Sequence, residues 1–356
     1  MEIMLALLSV VWGQTANLVR VTPSELDALS EPQVAVENDG HIYVASGDGN
    51  AIYVSRSSDS GSTFSAPIKV AEAGRMSLGM RRGPRIAAYQ GRLTITATYG
   101  AKGGGADGDI LTFRSTDQGK TWSAGANVND VGGAAREGLH AMAVAPDGTL
   151  ACSWLDLRSK GTKLYMSTSK DGGKSWAKNQ LVYESPAGFI CQCCHPSLAY
   201  EPNGTLLLMY RNVLEGARDM YLTQTSDDGK TFTPVSKLGK GTWMLDACPM
   251  DGGMVMVDST RPIGTVWRRE NTVYFATPNV PETKLGTGKQ PWAAMGPGGM
   301  YAVWMGSDGI HCWSPTMKGT QLVSTGNDPV VSSSPDHKIV FAAWTSGGIQ
   351  GILLAR

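Results

Sequence analysis

Short apolar segments recur along the whole chain, each after a turn of the Asn, Asp or Gly kind, such as Asp147-Gly148 or Asn203-Gly204. Each segment ends in a residue pair, in most cases a small residue followed by a large one. The seven pairs are Ala45-Ser46, Thr98-Tyr99, Ser153-Trp154, Met209-Tyr210, Val266-Trp267, Val303-Trp304 and Ala343-Trp344. Apolar runs bounded by such turns are typical of β-strands. The pattern therefore predicts an all-β chain of seven repeated units.

The pairs and turns divide the chain into seven units, the fifth and sixth shorter than those before them, as expected if their outer turns are trimmed. The predicted units are 31–72, 83–130, 138–184, 194–239, 247–287, 290–324 and 328–356. The last offers only three strands, and residues 17–21 resemble the outer strand of the first unit, 67–70. We therefore expect an N-terminal strand to complete the last unit and close the ring. Helix is expected to be scarce, with one turn over 24–29.

A second repeat has the form Ser/Thr-x-Asp-x-Gly-x-Thr/Ser-aromatic and begins at residues 57, 115, 169 and 225. A near-constant spacing of this size indicates a repeat architecture. In each copy the Asp carboxylate is placed to accept backbone N–H groups a few residues on, and the Gly supplies a positive φ. We interpret the motif as a structural turn between two strands, not as a catalytic site.

The balance of charged residues argues against some classes of binding partner. The 31 basic and 31 acidic residues cancel, and no Lys/Arg run is present, so neither nucleic acid nor an anionic membrane is expected. The apolar run from Ile3 to Trp12 is too short to span a bilayer. It favours a signal peptide over 1–13, cleaved after Gly13, although Glu2 stands where a basic residue is usual. The alternatives are a buried strand and a misplaced start codon.

An exported chain would be periplasmic or extracellular, where disulfides are permitted. No domain boundary interrupts the sequence, so we expect one domain over 14–356.

The eight-residue repeat resembles the Asp-box of sialidases and related β-propellers. Five further segments resemble exported bacterial proteins described as sialidase-like or BNR-repeat proteins. They are 79–86, 137–140, 154–158, 191–196 with the sequence Cys-Gln-Cys-Cys-His-Pro, and 248–253. The resemblance covers essentially the whole mature chain. It implies a β-propeller of four-stranded antiparallel blades, with seven blades by the count of units and six, as in sialidases, as the alternative.

Propeller geometry sorts these residues by face. The loop into strand one and the loop after strand two open on one face of the ring, and the strand 3–4 turns that carry the boxes open on the other. Unusual residues concentrate in the first set of loops, and propellers bind ligands at ring entrances. These residues include Arg81, Arg82, Arg85, Glu137, His140, Asp156, Arg158, Cys191, Cys193, Cys194, His195, Arg211, Arg218, Asp219, Asp246, Cys248, Arg268, Arg269 and Glu270. The alternative interpretation is a set of ordinary salt bridges between blades.

Similarity to sialidases implies a retaining glycosidase in which three Arg hold a carboxylate, a Tyr backed by a Glu attacks, and an Asp acts as acid and base. A guanidinium suits this role because it binds a carboxylate through two parallel hydrogen bonds. The candidates are Arg85, Arg211 and Arg268 or Arg269 for the clamp, Glu137 or Asp156 for the carboxylates, and Tyr99 or Tyr210 for the phenol. Two departures are Pro84-Arg85-Ile86, where sialidases have Arg-Ile-Pro, and the seventh unit.

A cysteine cluster offers a different chemistry. Cys191, Cys193, Cys194 and His195 crowd one loop, and Cys248 occupies the equivalent loop of the next unit. His140, Met142 and Met250 are candidates for the same neighbourhood. Thiolate, imidazole and thioether suit copper or zinc; the alternatives are a disulfide from one of the three to Cys248, and reactive thiols.

Three functions therefore stay open. The first is an exported sialidase-like glycoside hydrolase that acts on a sialic-acid-type or other acidic glycan. The second is a non-catalytic or redox propeller that holds copper or zinc. The third is a glycan- or protein-binding module. In each case the expected ligand is a glycan or small molecule at the ring entrance.

Overall fold

The computed structural model describes residues 18–123 and 126–356. The strands of the first half are β1 (Val19–Arg20), β2 (Ser30–Val36), β3 (Ile42–Gly47), β4 (Ala51–Ser57), β5 (Ile68–Glu72), β6 (Arg75–Met76), β7 (Arg85–Tyr89), β8 (Arg92–Gly100), β9 (Asp109–Ser115), β10 (His140–Val144), β11 (Leu150–Asp156), β12 (Lys163–Ser169) and β13 (Gln180–Tyr183). A short 3-10 helix, Ser24–Leu26, fulfils the expected single helical turn.

The second half continues with strands of similar length. They are β14 (Ser197–Tyr200), β15 (Leu206–Arg211), β16 (Met220–Thr225), β17 (Ser236–Lys237), β18 (Gly253–Asp258), β19 (Arg261–Arg269), β20 (Thr272–Ala276), β21 (Thr283–Thr287), β22 (Lys289–Gly296), β23 (Gly299–Met305), β24 (Ile310–Trp313), β25 (Gln321–Ser324), β26 (Asn327–Ser333), β27 (Val340–Thr345) and β28 (Ile349–Ala355). No helix in the described part of the chain is long and apolar enough to cross a bilayer.

Within the described residues the strands form seven antiparallel sheets, so the prediction of a seven-bladed propeller is confirmed. The first strands of successive blades, β2, β7, β10, β14, β18, β22 and β26, contact one another in that order, and β26 returns to β2. They surround the axis, and the later strands of each blade lie towards the rim. The seven sheets therefore close into a ring.

The expected closure by the N-terminal strand is confirmed. β1 pairs with β28 through Val19↔Gly351 and Arg20↔Gln350, and the N–H of Val21 donates to the carbonyl of Ile349 at 2.9 Å. Blade seven therefore contains strands from both ends of the described chain.

Blade two departs from the regular pattern. Beyond β9 its rim is reduced to isolated bridges, Leu111↔Asn127 and Arg114↔Ser123. In addition, the short strand β6 pairs with the last residues of the long strand β8, through Arg75↔Gly100 and Met76↔Tyr99. The extension of β8 beyond its neighbours exposes backbone groups that β6 satisfies.

The boxes are confirmed as structural turns between the third and fourth strands. In the first box Asp59 Oδ1 accepts the Thr63 N–H at 2.9 Å and Oδ2 accepts the Thr63 hydroxyl at 2.7 Å. Gly61 donates its N–H to Ser57 Oγ. Its φ is +88°, and a Cβ there would lie 2.6 Å from the Phe341 ring, so glycine is required on both counts.

Large side chains fill the spaces between blades. Trp304 and Trp344 are fully buried and Trp267 is almost so, each packed against a neighbouring blade, as predicted for these strand ends. Cys152 and Cys312 are buried within β11 and β24, as small apolar residues would be. The predicted signal peptide, 1–13, lies outside the described residues, so export stays a prediction.

Candidate functional site

The face opposite the boxes carries the loops into the first strands, and we call it the entrance face. Three of these first strands begin with a β-bulge, at Glu31, Gln290 and Asp328. All three residues have left-handed backbones, with φ of 50°, 53° and 53°. A bulge re-aims the side chain that it carries, and such features cluster at functional sites.

Arg81 spans the ring at this face. Its Nη2 donates to the carbonyl oxygens of Gln290 and Pro329, both at 2.9 Å, which belong to blades six and seven. Its own N–H and that of Gly83 donate to the two carboxylate oxygens of Glu31, each at 2.6 Å. Burial lowers the pKa of Arg81 and raises that of Glu31. The loop into blade two is thereby fixed to three other blades.

The Trp292 side chain packs against two arginines and a histidine at the entrance face. The guanidinium carbons of Arg81 and Arg85 lie 5.2 Å and 5.7 Å from the indole centroid, and the His195 ring lies 5.2 Å away. Beneath it lies a cavity of about 280 Å³, lined by the first strands around the axis. Cation–π contacts and close packing hold the Trp292 side chain in place.

Two of the predicted carboxylate-binding arginines are occupied by backbone carbonyls. Arg85 donates to the carbonyls of Arg81, Gly83, Pro84 and His140. Arg211 donates to those of Asp251, Arg218 and Arg268, at 3.1, 2.6 and 2.9 Å. Both side chains are buried, and burial lowers the pKa of Arg85 to about 10.

The other two candidate arginines, Arg268 and Arg269, have different partners. Arg268 donates through Nη1 to Asp251 Oδ2 at 3.3 Å and lies 5.2 Å from the Trp243 centroid, and Arg211 lies 5.3 Å from the same centroid. Arg269 pairs with Glu282 at 2.5 Å and stacks on Tyr274. Adjacent residues of a strand point to opposite faces, which explains why only Arg268 joins the cluster.

The carboxylate candidates differ in access. Asp156 is buried, with Oδ1 accepting from Arg158 and Oδ2 accepting from Arg158 and from Trp154 Nε1. Glu137 keeps about a quarter of its side chain exposed, 3.8 Å from Arg82, and burial raises its pKa. Glu137 is therefore the more accessible proton carrier of the two.

The candidate phenols lie inside the blades. Tyr99 and Tyr210 are both buried, and neither hydroxyl has a hydrogen-bond partner in the described part of the protein. Burial raises the pKa of both.

Both candidate histidines are buried and neutral at physiological pH. His140 Nε2 faces Thr96, and His195 Nδ1 lies 3.1 Å from the Pro196 carbonyl. Burial lowers both pKa values to about 3, with a further contribution from Arg85 in each case.

Three cysteine sulfurs meet at one point of the entrance face. The Sγ–Sγ distances are 3.6 Å for Cys191–Cys193, 3.4 Å for Cys191–Cys194 and 4.0 Å for Cys193–Cys194. A disulfide requires about 2.05 Å, and among the described residues all six cysteines are free. Cys248, which is exposed, is one of these free cysteines, so the predicted disulfide to it is not formed in this structure. Neither His140 nor His195 is grouped with the three sulfurs.

A cleft of about 450 Å³ lies beside this cluster. Its walls include Met80, Trp243, Cys248, Arg268 and Lys289. Below it, the buried Asp251 has one carboxylate oxygen without a hydrogen-bond partner among the described residues, and burial raises its pKa. Three residues of the walls, at positions 80, 250 and 290, have left-handed backbones. Local strain and an unpartnered polar atom coincide here.

Sequence reasoning missed Glu31, Asp251, Gln290 and Trp292. For three of them a signal was present, since a residue followed by proline introduces the first strand in five blades: Glu31-Pro32, Gly83-Pro84, His195-Pro196, Gln290-Pro291 and Asp328-Pro329. Proline is tolerated at the beginning of a strand and at bulges. Aligned on this dipeptide, the residues around the mouth of the ring can be read from the sequence.

Ring closure, seven antiparallel sheets and box turns on one face define a seven-bladed β-propeller of the Asp-box type. Residues 79–244 match the family model of the BNR repeat-like domain. The expected resemblance to BNR-repeat propellers is thus confirmed.

Several solved propellers share the fold. The chain is similar to an α-L-arabinanase of Penicillium chrysogenum solved with arabinobiose, at 12% identity over 96% of this chain and 99% of that one, with a TM-score of 0.57. The chain is also similar to an ulvan lyase, at 12% identity over 96% of this chain and 94% of the lyase, with a TM-score of 0.57. A Hadza microbial sialidase is 15% identical over 92% of this chain and 65% of the sialidase chain, with a TM-score of 0.52.

Identities this low establish the fold alone. No curated protein matches the chain in sequence.

Proposed function

We propose that the protein is a glycan-active propeller that takes an acidic saccharide into the entrance cleft. The similar propellers include an arabinanase, a sialidase and an ulvan lyase, and the lyase was solved with a saccharide of glucuronate and sulfated rhamnose. Their names support a glycan as the ligand class. The chemistry of the cleft supports the acidic character of the saccharide.

The observation that carries the proposal is a pair of cations in one cleft wide enough for a sugar ring. Arg268 and Lys289 both line it. The Nε and Nη1 groups of Arg268 are engaged, but its Nη2 makes no hydrogen bond to the described residues. Lys289 is exposed. A guanidinium whose Nη2 group is free, beside an ammonium group, suits a carboxylate or sulfate.

This arrangement favours recognition different from the three-arginine clamp of sialidases. That clamp needs guanidinium donors directed at the ligand, whereas the donors of Arg85 and Arg211 are directed at backbone carbonyls. We assign these two arginines to holding the loops of the entrance face. Arg268 and Lys289 then receive the acidic group, and sialic acid is one of several possible acids.

For the reaction itself, we propose Glu137 as the proton carrier. Its side chain is partly exposed and its pKa is raised, which suits a general acid in glycosidic bond cleavage. The locked carboxylate of Asp156 is less suited to the role.

Binding is tested on the full chain by calorimetry with oligosaccharides that contain uronate, sulfate ester or sialic acid, and with neutral arabino-oligosaccharides. We expect acidic ligands to bind, and Arg268→Ala and Lys289→Ala each to weaken binding about tenfold. Lys284→Ala, an exposed lysine on β21, is the control of equal charge. Equal affinity for neutral ligands, or equal loss in the control, would rule the proposal out.

Catalysis is tested separately by release of new chain ends from the saccharide that binds. Glu137→Gln is expected to abolish release and leave the dissociation constant within a factor of about two. Binding without turnover in the unmodified chain would leave the glycan-binding part standing and reject the hydrolase.

A further inference from the structure

We propose that Cys191, Cys193 and Cys194 form a binding site for one thiophilic metal ion, Cu⁺ or Zn²⁺. The site is independent of the saccharide cleft in its chemistry, although the two are neighbours on the entrance face. Its ligands are three thiolates that the fold brings together without any metal.

Sulfur spacing is the first argument. The three Sγ atoms form a triangle with sides of 3.4, 3.6 and 4.0 Å. A point equidistant from them lies about 2.1 Å from each, so a metal about 2.3 Å from every sulfur sits slightly above their plane. The triangle is too wide for any disulfide and already has the size of a metal–trithiolate unit.

The loop that carries these thiols is fixed by its neighbours. The N–H of Cys191 donates to the Arg211 carbonyl at 3.1 Å, and that of Ile190 donates to the Thr162 carbonyl at 3.0 Å. Cys191 and Cys194 are buried against Val213, and Cys193 is partly exposed. The ligands are therefore preorganised, and Cys193 marks the side from which an ion enters.

Donors surround the sulfurs in a way that suits thiolates. Arg218 Nη1 donates to Cys191 Sγ at 3.3 Å, and the Asp251 N–H donates to Cys194 Sγ at 3.4 Å. Cations and N–H groups beside a sulfur stabilise its deprotonated form, and outer partners of this kind orient metal ligands. On binding, the thiols release their protons to solvent and the sulfurs keep the electron pairs that coordinate the metal.

The choice of metal follows from the ligand number. Among the described residues no further His, Cys, Asp or Glu atom joins the three sulfurs. The ring of His195 packs on Trp292, and Cys248 is exposed and apart from the group. An all-sulfur set selects soft d¹⁰ ions. Cu⁺ accepts three thiolates, whereas Zn²⁺ adds a solvent molecule as a fourth ligand.

The test uses the full chain, reduced and handled without oxygen. It is titrated with Cu⁺ against a Cu⁺-specific chelator and, separately, with Zn²⁺ against a zinc chelator. We expect one ion per chain and a loss of affinity of at least about a hundredfold in Cys191→Ser and Cys193→Ser. Cys248→Ser, which alters an exposed cysteine outside the group, is the matched control. The ion that the protein retains in competition with its chelator is the metal that the site prefers.

Two results would overturn the site. One is an unmodified chain that binds neither ion more tightly than Cys191→Ser does. The other is an equal loss in Cys248→Ser. Circular dichroism of each variant verifies that the fold is intact, and Cys193→Ser, at a partly exposed position, serves if Cys191→Ser does not fold. Saccharide binding by Cys193→Ser is expected to be unchanged, so the two proposals fail or succeed separately.

Discussion

The guanidinium of Arg81 and the carbonyl oxygen of Pro329 are separated by 248 residues in sequence and lie 2.9 Å apart across the mouth of the ring. This hydrogen bond joins blade two to blade seven. It depends on Glu31, whose carboxylate holds the Arg81 and Gly83 amides. A single acidic residue thus positions the loop whose Arg81 side chain packs on Trp292.

Substitution of Glu31 is predicted to destabilise the fold. Glu31→Gln leaves one of the two amides facing an NH₂ group, which costs about 1–3 kcal/mol for a buried unsatisfied donor. Glu31→Ala leaves both amides unsatisfied and costs more. Urea unfolding followed by tryptophan fluorescence measures the difference, with the exposed Glu25→Gln as control. If Glu31→Ala unfolds within about 0.5 kcal/mol of the unmodified chain, the carboxylate does not hold the loop.

The box carboxylates are predicted to make stability depend on acid pH. The hydroxyl and N–H of Thr63 lower the pKa of Asp59 to about 2, below its value of 3.8 in an unfolded chain. The folded state therefore binds fewer protons between these values, and the stabilisation is complete above pH 4 and lost as the pH falls towards 2.

This dependence is measured with Asp59→Asn, whose side chain does not titrate. We expect it to unfold about 1 kcal/mol more easily at pH 7, a small value because the site is exposed, and the gap from the unmodified chain to close near pH 2. Asp228→Asn in the fourth box is the control, because within the described residues its carboxylate pairs only with the exposed Lys170. A gap that stays constant down to pH 2 would show that the Asp59 charge has no part in the turn.

The N-terminal strand is predicted to be essential for ring closure. Val21 is buried between the last and first blades and donates its N–H to Ile349. Val21→Asp places an unpaired charge in that core, and we expect a loss of at least about 3 kcal/mol with exposure of the β28 edge. Thermal unfolding and light scattering measure the two effects. Leu18→Asp, three residues earlier and half exposed, is expected to leave both unchanged.

Much of the architecture was predictable because its causes are local. Strand patterning and the Asp-box each depend on residues within one turn or one strand, as the Asp59–Thr63 contacts illustrate. These signals were sufficient for seven blades, for the faces on which loops open and for closure by residues near 19–21. They also predicted that Cys191, Cys193 and Cys194 share a loop.

The use of each entrance side chain was decided by tertiary contacts. Arg211 and Arg268 occupy equivalent positions at strand ends of adjacent blades. All three side-chain nitrogens of Arg211 donate to backbone carbonyls of other loops, whereas Nη2 of Arg268 makes no hydrogen bond to the described residues. In the same way, proximity in sequence suggested His195 as a partner for the thiols, whereas packing turned its ring to Trp292. By itself the sequence determined the repeated strands and turns, since their hydrogen bonds are short-range. Which charges, thiols and carboxylates meet depended on loops converging from different blades, and only the closed ring sets those distances.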